Sequence, residues 1–489
     1  MTIQNIDVDA AIDKVRALIA TEKDLSPALK ASLEVLLLLV TILANSHGLN
    51  SKNSSKPPST DRNRVKEPRS KSDRKPGGQK GRNGTFLQPV PDPDEIKPLE
   101  IDRSTLPPGK YREVGYEARQ VIDIDIARVV TEYRAQVLVD QHCNRYVAPF
   151  PDGVTRPAQY GIGVKVNSVY MSQYQLIPYN RIEDHFLDQV QIPISVGSIY
   201  NFNHEAYDLL EPFDRWVQQR LMSSSVMHSD ETGINLNGKN HWLHNASNSA
   251  YTYFYPHSKR GGEALEEMGI LAAFNGILCH DHWKSYYKHY GGRHSLCNAH
   301  HLRELERAVE QDKQQWATKM IALLREINNA AHDAGGCLDM PESEAYRSRY
   351  RALLSEAEVE CPPPDESQRN GRRGRLARSK ARSLLERLRD YESDVLCFMI
   401  EKEVPFSNNQ AENDLRMTKV QQKISGCFRS WEGAKIFCRI RSYLSTCRKQ
   451  GVSASEGLRL LFEGKFPAFM QEKIALRVPL AGSLPLGGE

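Results

Sequence analysis

Three carboxylates of this chain occupy positions from which acidic side chains can hold metal ions. Asp230 ends the strand-like run 225–230, Asp281 ends a second such run, 276–281, and Glu412 lies just inside a predicted helix. Carboxylate oxygens are suitable ligands for Mg²⁺ or Mn²⁺, and a pair of such ions can stabilise both the attacking and the leaving oxygen of a phosphodiester. The three residues therefore predict a two-metal site that cuts and joins phosphodiesters.

The two carboxylates that follow strands can share a metal ion only if their side chains meet. Side chains alternate along a strand, so His228 and Asp230 lie on one face and Glu231 lies on the other. Asp281 ends an apolar run, and a buried strand delivers its last side chain to the edge of the sheet. Because neighbouring strands lie about 4.8 Å apart, carboxylates at adjacent strand ends can bind one ion.

Glu412 would supply the third ligand from a helix that Ser407 or Asn408 can cap. Glu412, Arg416 and Lys419 share a face of that helix, since they follow one another at helical spacing. This arrangement places a metal ligand beside two cations that can contact DNA phosphate. The alternative is an ordinary surface ion pair between Glu412 and Arg416, worth about 0.3 kcal/mol. The two strand-end carboxylates favour the metal site.

Histidines gather near these carboxylates in the sequence, at His228, His280, His282, His294, His300 and His301. Cys297 and His300 have a spacing found in zinc sites, but a single Cys-x-x-His pair supplies only part of a four-ligand set. We therefore predict buried or supporting histidines rather than a structural zinc. His300 or His301 is a candidate contact to the scissile phosphate.

The carboxylates lie in a region whose elements alternate between strands and helices. Three strands in hairpin order, a crossover helix and further strands follow one another from Val226 onward, with Asn237-Gly238 as a two-residue hairpin turn. This is the order of a ribonuclease-H-like mixed sheet. We predict a multidomain α/β protein with this catalytic domain over 223–301 and 402–450 and a large helical insertion over 302–401.

Residues 154–222 are predicted to be a helical, helix-turn-helix-like DNA-binding region. The sequence indicates a short helix from Arg181, a turn, and a second helix capped by Ser195. Many ordinary helical hairpins share this pattern, which leaves that alternative open. If the second helix contacts DNA, it does so through Ser198, Tyr200 and Asn201.

The N-terminal part of the chain adds a leucine-rich helix and a basic arm. In the segment 1–48, a helix over 26–47 carries a short heptad pattern that predicts either self-association or an ordinary buried helix. The Pro/Gly/Ser-rich linker 49–95 is strongly basic, and so is a stretch near 369–382 in the insertion. Flexible basic arms bind DNA backbones without reading sequence. The candidate contacts are Arg62, Arg64, Lys71, Arg74, Lys75, Arg372, Arg373 and Arg375.

The remaining segments and the composition indicate the general class of protein and its cellular location. Residues 96–153 alternate weakly in polarity and predict a small β-rich module, and 451–489 is predicted to be a C-terminal tail. The net charge is +4, and the nine cysteines are scattered. The N-terminus lacks signal-peptide order, and the longest apolar run, 35–44, is too short to span a bilayer. We predict a soluble cytoplasmic protein with free thiols and no membrane association.

Several motifs resemble those of one known family. They are Asn53-Ser-Ser-Lys-Pro-Pro-Ser-Thr-Asp61, Arg74-Lys-Pro-Gly-Gly-Gln79, His228-Ser-Asp-Glu-Thr-Gly233, Cys297-Asn-Ala-His-His-Leu-Arg-Glu-Leu305, Asn408-Asn-Gln-Ala-Glu412 and Lys423-Ile-Ser-Gly-Cys-Phe-Arg-Ser430. Taken in order, they resemble the large transposase of the bacterial insertion-sequence-sixty-six family.

This resemblance implies a DDE transposase with Asp230, Asp281 and Glu412 as its catalytic triad. Such an enzyme frees a 3′-hydroxyl at the ends of its element and joins it to target DNA. The resemblance also implies small accessory proteins encoded by the same element. Since two DNA ends must be brought together, we expect a dimer or larger assembly on DNA.

The chain departs from the family pattern in one place. The family carries a zinc finger built on paired cysteines between the basic linker and the helical region, whereas residues 96–153 contain only Cys143. Four ligands cannot be assembled there, so no structural zinc is predicted. Two other functions remain open: a decayed transposase that only binds DNA, and a metal-dependent nuclease that cuts without joining.

Overall fold

The computed structural model describes residues 2–3, 6–22, 24–47, 49–54, 61, 87–365 and 376–471. The predicted contacts of the two basic arms lie outside the described residues: Arg62, Arg64, Lys71, Arg74, Lys75, Arg372, Arg373 and Arg375. The described chain forms a mixed sheet with helices packed on both faces, preceded by N-terminal helices and a long stretch of irregular structure.

The N-terminal residues form β1 (Thr2–Ile3), β2 (Ile6–Asp7), α1 (Val8–Thr21) and α2 (Pro27–His47). The Leu29 amide donates to the Ser26 hydroxyl at 3.3 Å, so Ser26 caps α2. Over Pro27–Ser46, α2 is long and apolar enough to cross a membrane by length and composition, and none of this stretch is buried. This helix extends beyond the apolar run 35–44, because its flanking turns also carry few charges.

Residues 87–153 contain little regular structure. Their elements are a 3₁₀ turn (Arg103–Thr105) and a hairpin of β3 (Val137–Val139) and β4 (Arg145–Val147). The predicted β-rich module is wrong for the alternating run 120–126, which forms no strand. Val121 is 92% exposed and Ile124 is 77% exposed. The run therefore lacks the neighbouring strand and packed face that stabilise an alternating sequence as a strand.

The helical region before the sheet consists of α3 (Ile162–Val169), a π-helical turn (Tyr170–Tyr174), α4 (Tyr179–Val190), α5 (Val196–Leu209) and α6 (Glu211–Met222). The predicted cap of α5 is confirmed, since the Ser198 amide donates to the Ser195 hydroxyl at 3.1 Å. Ile199 and Val217 are buried in one core with residues of the sheet. These helices are therefore packed directly onto the sheet.

The sheet is built from β5 (Val226–Leu236), β6 (Lys239–Ser247), β7 (Thr252–His257), β8 (Ile277–His280) and β9 (Arg293–Leu296). Its spatial order is β7-β6-β5-β8-β9, with β5 to β7 antiparallel and β8 and β9 parallel to β5. Asn237 and Gly238, at φ 48° and 82°, form the predicted hairpin turn. The connections to β8 and β9 contain α7 (Gly262–Met268) and α8 (Lys284–His289). A mixed sheet was predicted and is confirmed.

The insertion is helical, as predicted. It contains α9 (Asn298–Glu310), α10 (Gln315–Asp333), α11 (Met340–Glu360), α12 (Lys380–Asp390), α13 (Glu392–Val395) and a 3₁₀ turn (Cys397–Met399). Leu305, Leu324 and Leu385 share a core with Val226 and Cys279 of the sheet. The insertion thus covers the face of the sheet opposite the one that packs on α3 to α6.

The chain returns from the insertion through α14 (Asn409–Ser425), α15 (Trp431–Lys449), α16 (Ala454–Phe462) and α17 (Ala468–Gln471). Leu458 and Leu461 of α16 are buried beside Ile440 of α15. The segment predicted to be a tail therefore contains a packed helix, because its apolar residues recur at helical spacing. All nine cysteines are free thiols.

Candidate active site

Asp230 on β5 and Asp281 directly after β8 lie at equivalent positions of two neighbouring parallel strands. The ladder between these strands pairs His228 with Cys279, and each of these residues lies two positions before one of the carboxylates. Side chains two positions apart share a face, so both carboxylates belong to the face that the insertion covers. β8 ends one residue before Asp281, whereas β5 continues past Asp230 to Leu236. The prediction that Asp230 ends its strand is therefore wrong, because β5 continues in its hairpin with β6. Both carboxylates lie just beyond the point where the β5–β8 ladder stops.

Asn408 attaches α14, which carries Glu412, to this part of the sheet. The Asn408 side-chain amide donates to the Ser229 carbonyl at 2.9 Å, and its oxygen lies 2.8 Å from His228 Nδ1. Its backbone amide donates to Cys297 Sγ at 3.1 Å. Asn408 is 2% exposed and precedes α14, but its side chain makes no capping hydrogen bond. The side chain instead bonds to β5, which brings Glu412 near Asp230.

Glu412 faces the first turns of α9. Glu412 Oε1 lies 3.6 Å from Arg303 Nη2 and 3.8 Å from His300 Nδ1. Both Glu412 Oε1 and His300 Nδ1 are buried and have no hydrogen-bond partner among the described residues. Cys297, His300 and Glu412 present ligand atoms within 4.8 Å of one another. Buried polar atoms normally have partners, so these atoms fit a bound cation or substrate.

The carboxylates of the site concentrate negative charge around Asp230. Burial raises the pKa of the Asp230 carboxyl well above its usual value, and the charges of Glu231, Asp281 and Glu412 raise it further. The Glu231 amide offsets part of this effect, because it donates to Asp230 Oδ1 at 2.8 Å. A divalent cation would stabilise such a group of carboxylates in the ionised form.

Glu231 and Arg260 form an ion pair that the sequence did not reveal. Arg260 Nη2 and Nε lie 2.6 and 2.8 Å from Glu231 Oε1, and the Tyr286 hydroxyl donates to Oε2 at 2.8 Å. The Glu231 side chain is only 1% exposed. Burial and the charge of Asp281 raise the pKa of Glu231, while Arg260 lowers it. No local pattern connects Glu231 with an arginine in a distant loop.

Arg303, in contrast, lies one helical turn after His300 and could have been found from that spacing.

The two cations predicted beside Glu412 have different surroundings. Lys419 Nζ donates to the Gly233 carbonyl at 2.9 Å, so it connects α14 with β5. Arg416 has an exposed side chain. Among the described residues, the ion-pair partners of Glu412 are Arg303 and His300 rather than Arg416. The Glu412–Arg416 surface pair considered above is therefore not formed.

The predicted DNA contacts of α5 are only partly accessible. Ser198 is half-buried, and its hydroxyl lies 3.1 Å from that of Ser195. The Tyr200 hydroxyl donates to Glu432 of α15 at 2.9 Å. Asn201 is exposed. A role of these three residues in DNA binding stays a prediction, with Asn201 the most accessible of them.

The fold and site can be compared with known proteins. The model of a family described as Transposase IS66 family matches residues 158–436, which is more than half of the chain and includes Asp230, Asp281 and Glu412. The chain belongs to the IS66 transposase family. A second model, that of a family of unknown function (DUF6444), matches residues 2–88. The search of curated proteins gives no match.

Membership of the IS66 transposase family confirms the resemblance drawn from the motifs. It identifies the chain as a transposase of the DDE type associated with insertion sequences, and so as an enzyme that processes and binds DNA. Such transposases generally use divalent metal ions. The matched segment begins before α3 and so includes the helical region that precedes the sheet.

Proposed function

We propose that this IS66-family protein cuts the ends of its insertion sequence and joins the freed 3′-hydroxyl to target DNA through Asp230, Asp281 and Glu412. The observation that carries this proposal is the pairing of β5 with β8, which aligns Asp230 with Asp281 on the face where Asn408 anchors the helix of Glu412. The strand order β7-β6-β5-β8-β9 supports a ribonuclease-H-like catalytic domain.

The residues present fit a pair of Mg²⁺ or Mn²⁺ ions. Glu412 Oε1 is buried without a hydrogen-bond donor among the described residues, and the pKa of Asp230 is raised by burial and by its neighbouring carboxylates. Cys297 Sγ already accepts a hydrogen bond from the Asn408 amide, so the available ligands are mainly oxygens, which suit these hard ions. When bound, the ions would lower the pKa of the attacking water and stabilise the charge on the leaving oxygen.

In each of the two proposed reactions, one bond to phosphorus forms and another breaks. In cleavage, the oxygen of water bonds to phosphorus, the bond to the 3′-oxygen breaks, and that oxygen takes up a proton. In strand transfer, the freed 3′-hydroxyl loses its proton and bonds to the phosphorus of a target phosphodiester in line. The bond to the target's 3′-oxygen breaks, and that oxygen takes up a proton. Asp230, Asp281 and Glu412 would hold the ions in place. His300 and Arg303, which lie beside Glu412, would contact oxygens of the scissile phosphate.

DNA outside the cleavage site would contact several other parts of the chain. Arg416 is exposed on the helix of Glu412 and is the proposed phosphate contact there. The basic arms would add sequence-independent affinity through their lysines and arginines, and α5 would contribute Asn201. We further propose that the protein self-associates on paired DNA ends and acts with small accessory proteins of the same element.

The test is cleavage and strand transfer on labelled DNA that carries the element's own ends, with Mg²⁺ or Mn²⁺. Asp230→Asn, Asp281→Asn and Glu412→Gln should each abolish nicked and joined products while DNA binding survives. Glu356→Gln is the matched control, because it also removes one negative charge but alters an exposed ion pair with Lys319 in the insertion. It should leave both products unchanged.

Each alternative function gives a different result in this assay. A protein that binds the ends but never cuts, even with the accessory proteins present, would be a DNA-binding protein that has lost catalysis. A protein that cuts but forms no joined product would be a nuclease. Either result would contradict the proposal.

A further inference from the structure

An arginine that lies over the rings of two tryptophans is close to the part of the sheet that carries Asp230 and Asp281. The guanidinium carbon of Arg260 is 4.9 Å from the ring centre of Trp242 and 4.8 Å from that of Trp283. These residues come from three separate places: Trp242 from β6, Arg260 from the loop between β7 and α7, and Trp283 from the loop before α8. We call this group the Arg260 stack.

The Arg260 stack touches the neighbours of both aspartates. On the β5 side, Arg260 binds the carboxylate of Glu231, which directly follows Asp230. On the β8 side, the backbone amide of Trp283 donates to Asp281 Oδ1 at 3.1 Å. One side chain therefore connects the strand of the first aspartate with the loop that orients the second.

This connection lies on the face of the sheet opposite to the aspartates. Side chains alternate along β5, so Ser229 and Glu231 point away from the face of Asp230. The contacts agree with this geometry, because Tyr286 of α8 accepts from the Ser229 hydroxyl at 3.2 Å and donates to Glu231 at 2.8 Å. The oxygens of Glu231 are bonded by Arg260 and Tyr286. Glu231 thus serves as an anchor for Arg260.

We propose that Arg260 is a positioning residue that fixes the spacing of Asp230 and Asp281 for metal binding. This inference rests on the proposed function, since it assumes that both aspartates are metal ligands. The two strands have no ladder pairing beyond His228 and Cys279, so backbone hydrogen bonds of that ladder do not extend to the aspartates. The Arg260 stack supplies a connection between β5 and the loop after β8 at this level.

Arginine is suited to this position because its guanidinium is planar and offers several donors. It can stack on an indole on each side while its edge binds a carboxylate. Lysine has a single rotatable ammonium group and can keep the charge but not this geometry. Removing groups that orient metal ligands commonly weakens metal affinity by about 10- to 100-fold.

The experiment measures Mn²⁺ affinity directly, by calorimetry on the full-length protein without DNA. The test variant is the double substitution Glu231→Gln with Arg260→Gln, which removes the connection without changing the net charge near the site. We expect Mn²⁺ binding about tenfold weaker than in the wild type. Arg260→Lys should give an intermediate affinity, since it retains the charge but not the planar stack.

The matched control is the double substitution Glu326→Gln with Arg349→Gln in the insertion. This pair also joins a guanidinium to a carboxylate by two contacts of 2.7 and 2.8 Å, and Arg349 also lies over a ring, 5.2 Å from the centre of Tyr346. The control should leave Mn²⁺ affinity unchanged. If the test variant does not fold, Trp283→Leu removes one side of the stack with every charge retained and should weaken Mn²⁺ binding in the same direction.

The outcomes separate this proposal from the proposed function. If the folded test variant, or Trp283→Leu in its place, binds Mn²⁺ as tightly as the wild type, Arg260 does not position the aspartates. The two-metal proposal itself fails in either of two cases: the wild type shows no saturable Mn²⁺ binding, or Asp230→Asn leaves that binding in place. Both proposals are supported if the wild type binds Mn²⁺, Asp230→Asn removes this binding, and the test variant weakens it.

Discussion

Asn408 Oδ1 and His228 Nδ1 lie 2.8 Å apart, and this contact joins the helix that carries Glu412 to the strand that carries Asp230. Burial lowers the pKa of His228, so its imidazole is neutral and can donate Nδ1–H to the amide oxygen. The other end of the Asn408 side chain donates to the Ser229 carbonyl. This buried amide therefore holds the third carboxylate at the sheet, together with the hydrogen bond from Lys419 of the same helix to the Gly233 carbonyl.

Asn408→Ala should destabilise the protein and displace Glu412. The substitution leaves a buried carbonyl and a buried imidazole without their partners, which costs about 1–3 kcal/mol. Urea unfolding measures this change in the free energy of unfolding. Asn413→Ala is the matched control, because Asn413 is exposed on the same helix. Equal stabilities of the two variants would show that the Asn408 contacts do not hold α14 in place.

Asp230→Asn should stabilise the metal-free protein. The substitution removes a charge that is buried and repelled by Asp281 and Glu412, so we expect a gain on the order of 1 kcal/mol in the free energy of unfolding at pH 7. The same variant should lose the rise in melting temperature that Mg²⁺ or Mn²⁺ gives the wild type. Differential scanning calorimetry with and without metal measures both effects. If the metal-free variant is less stable than the metal-free wild type, the carboxylates do not repel Asp230 as proposed.

The contribution of Asp230 to the stability of the metal-free wild type should fall as the pH rises above about 4. The pKa of Asp230 is higher in the folded protein than in the unfolded chain, where it is about 3.9. The folded state therefore binds the proton more tightly, and its stability falls as pH rises from the unfolded pKa through the raised folded pKa. Asp230→Asn should lack this contribution. The difference in unfolding free energy between variant and wild type, measured across this range, should increase with pH and then level off.

Arg416 and Lys419 should affect DNA binding and stability differently. Arg416→Met should lower DNA affinity and reduce the slope of log affinity against log salt by about 1, as expected for one lost phosphate contact. Lys419→Met removes a donor to the Gly233 carbonyl and should mainly lower stability, by about 1 kcal/mol. Salt-dependent binding measurements on both variants make the comparison. An unchanged slope in Arg416→Met would exclude it as a phosphate contact.

The exposed apolar surface of α2 predicts self-association. Leu36 is 56% exposed and Leu43 is 69% exposed, at heptad spacing on a helix that is unburied over Pro27–Ser46. Replacing both with glutamate should reduce the assembly to monomers in sedimentation experiments without DNA. Replacing the exposed Lys30 and Glu34 with alanine is the control. A wild-type monomer at all concentrations would rule out association through α2.

The elements that the sequence predicted well are those whose conformation is determined by residues within the element itself. Asn237-Gly238 favours the left-handed turn that closes the β5–β6 hairpin, and Ser195 caps α5 through a contact three residues away. These are local effects, so a single sequence contains them. The alternating run 120–126 shows the limit of such patterns, because alternation forms a strand only where another strand and a core are available.

The sequence pointed to the carboxylates of the candidate site, but not to the residues that hold them in place. Asp281 directly follows β8 and Glu412 lies in the first turn of α14, whereas Asp230 lies within β5 at the end of the strand-like run 225–230. These positions in the sequence drew attention to the three residues. The partners of Asn408 lie about 180 residues away in the chain, and Arg260 approaches Glu231 from a loop beyond two further strands. Contacts of this kind depend on the tertiary fold and leave no periodic trace in the sequence.

The hydrogen bonds of Cys297 and Asn298 to the segment 406–408 show that the insertion leaves and rejoins the sheet at one point. The Asn298 amide donates to the Phe406 carbonyl at 3.1 Å, and the Asn408 amide donates to Cys297 Sγ at the same distance. The geometry of Glu412 relative to the strands is therefore set at this narrow neck. Exchange of the later insertion helices would leave this neck intact but would remove side chains such as Leu324 and Leu385, which share a core with Val226 and Cys279 of the sheet. The spacing of the carboxylates therefore depends on both the neck and this core.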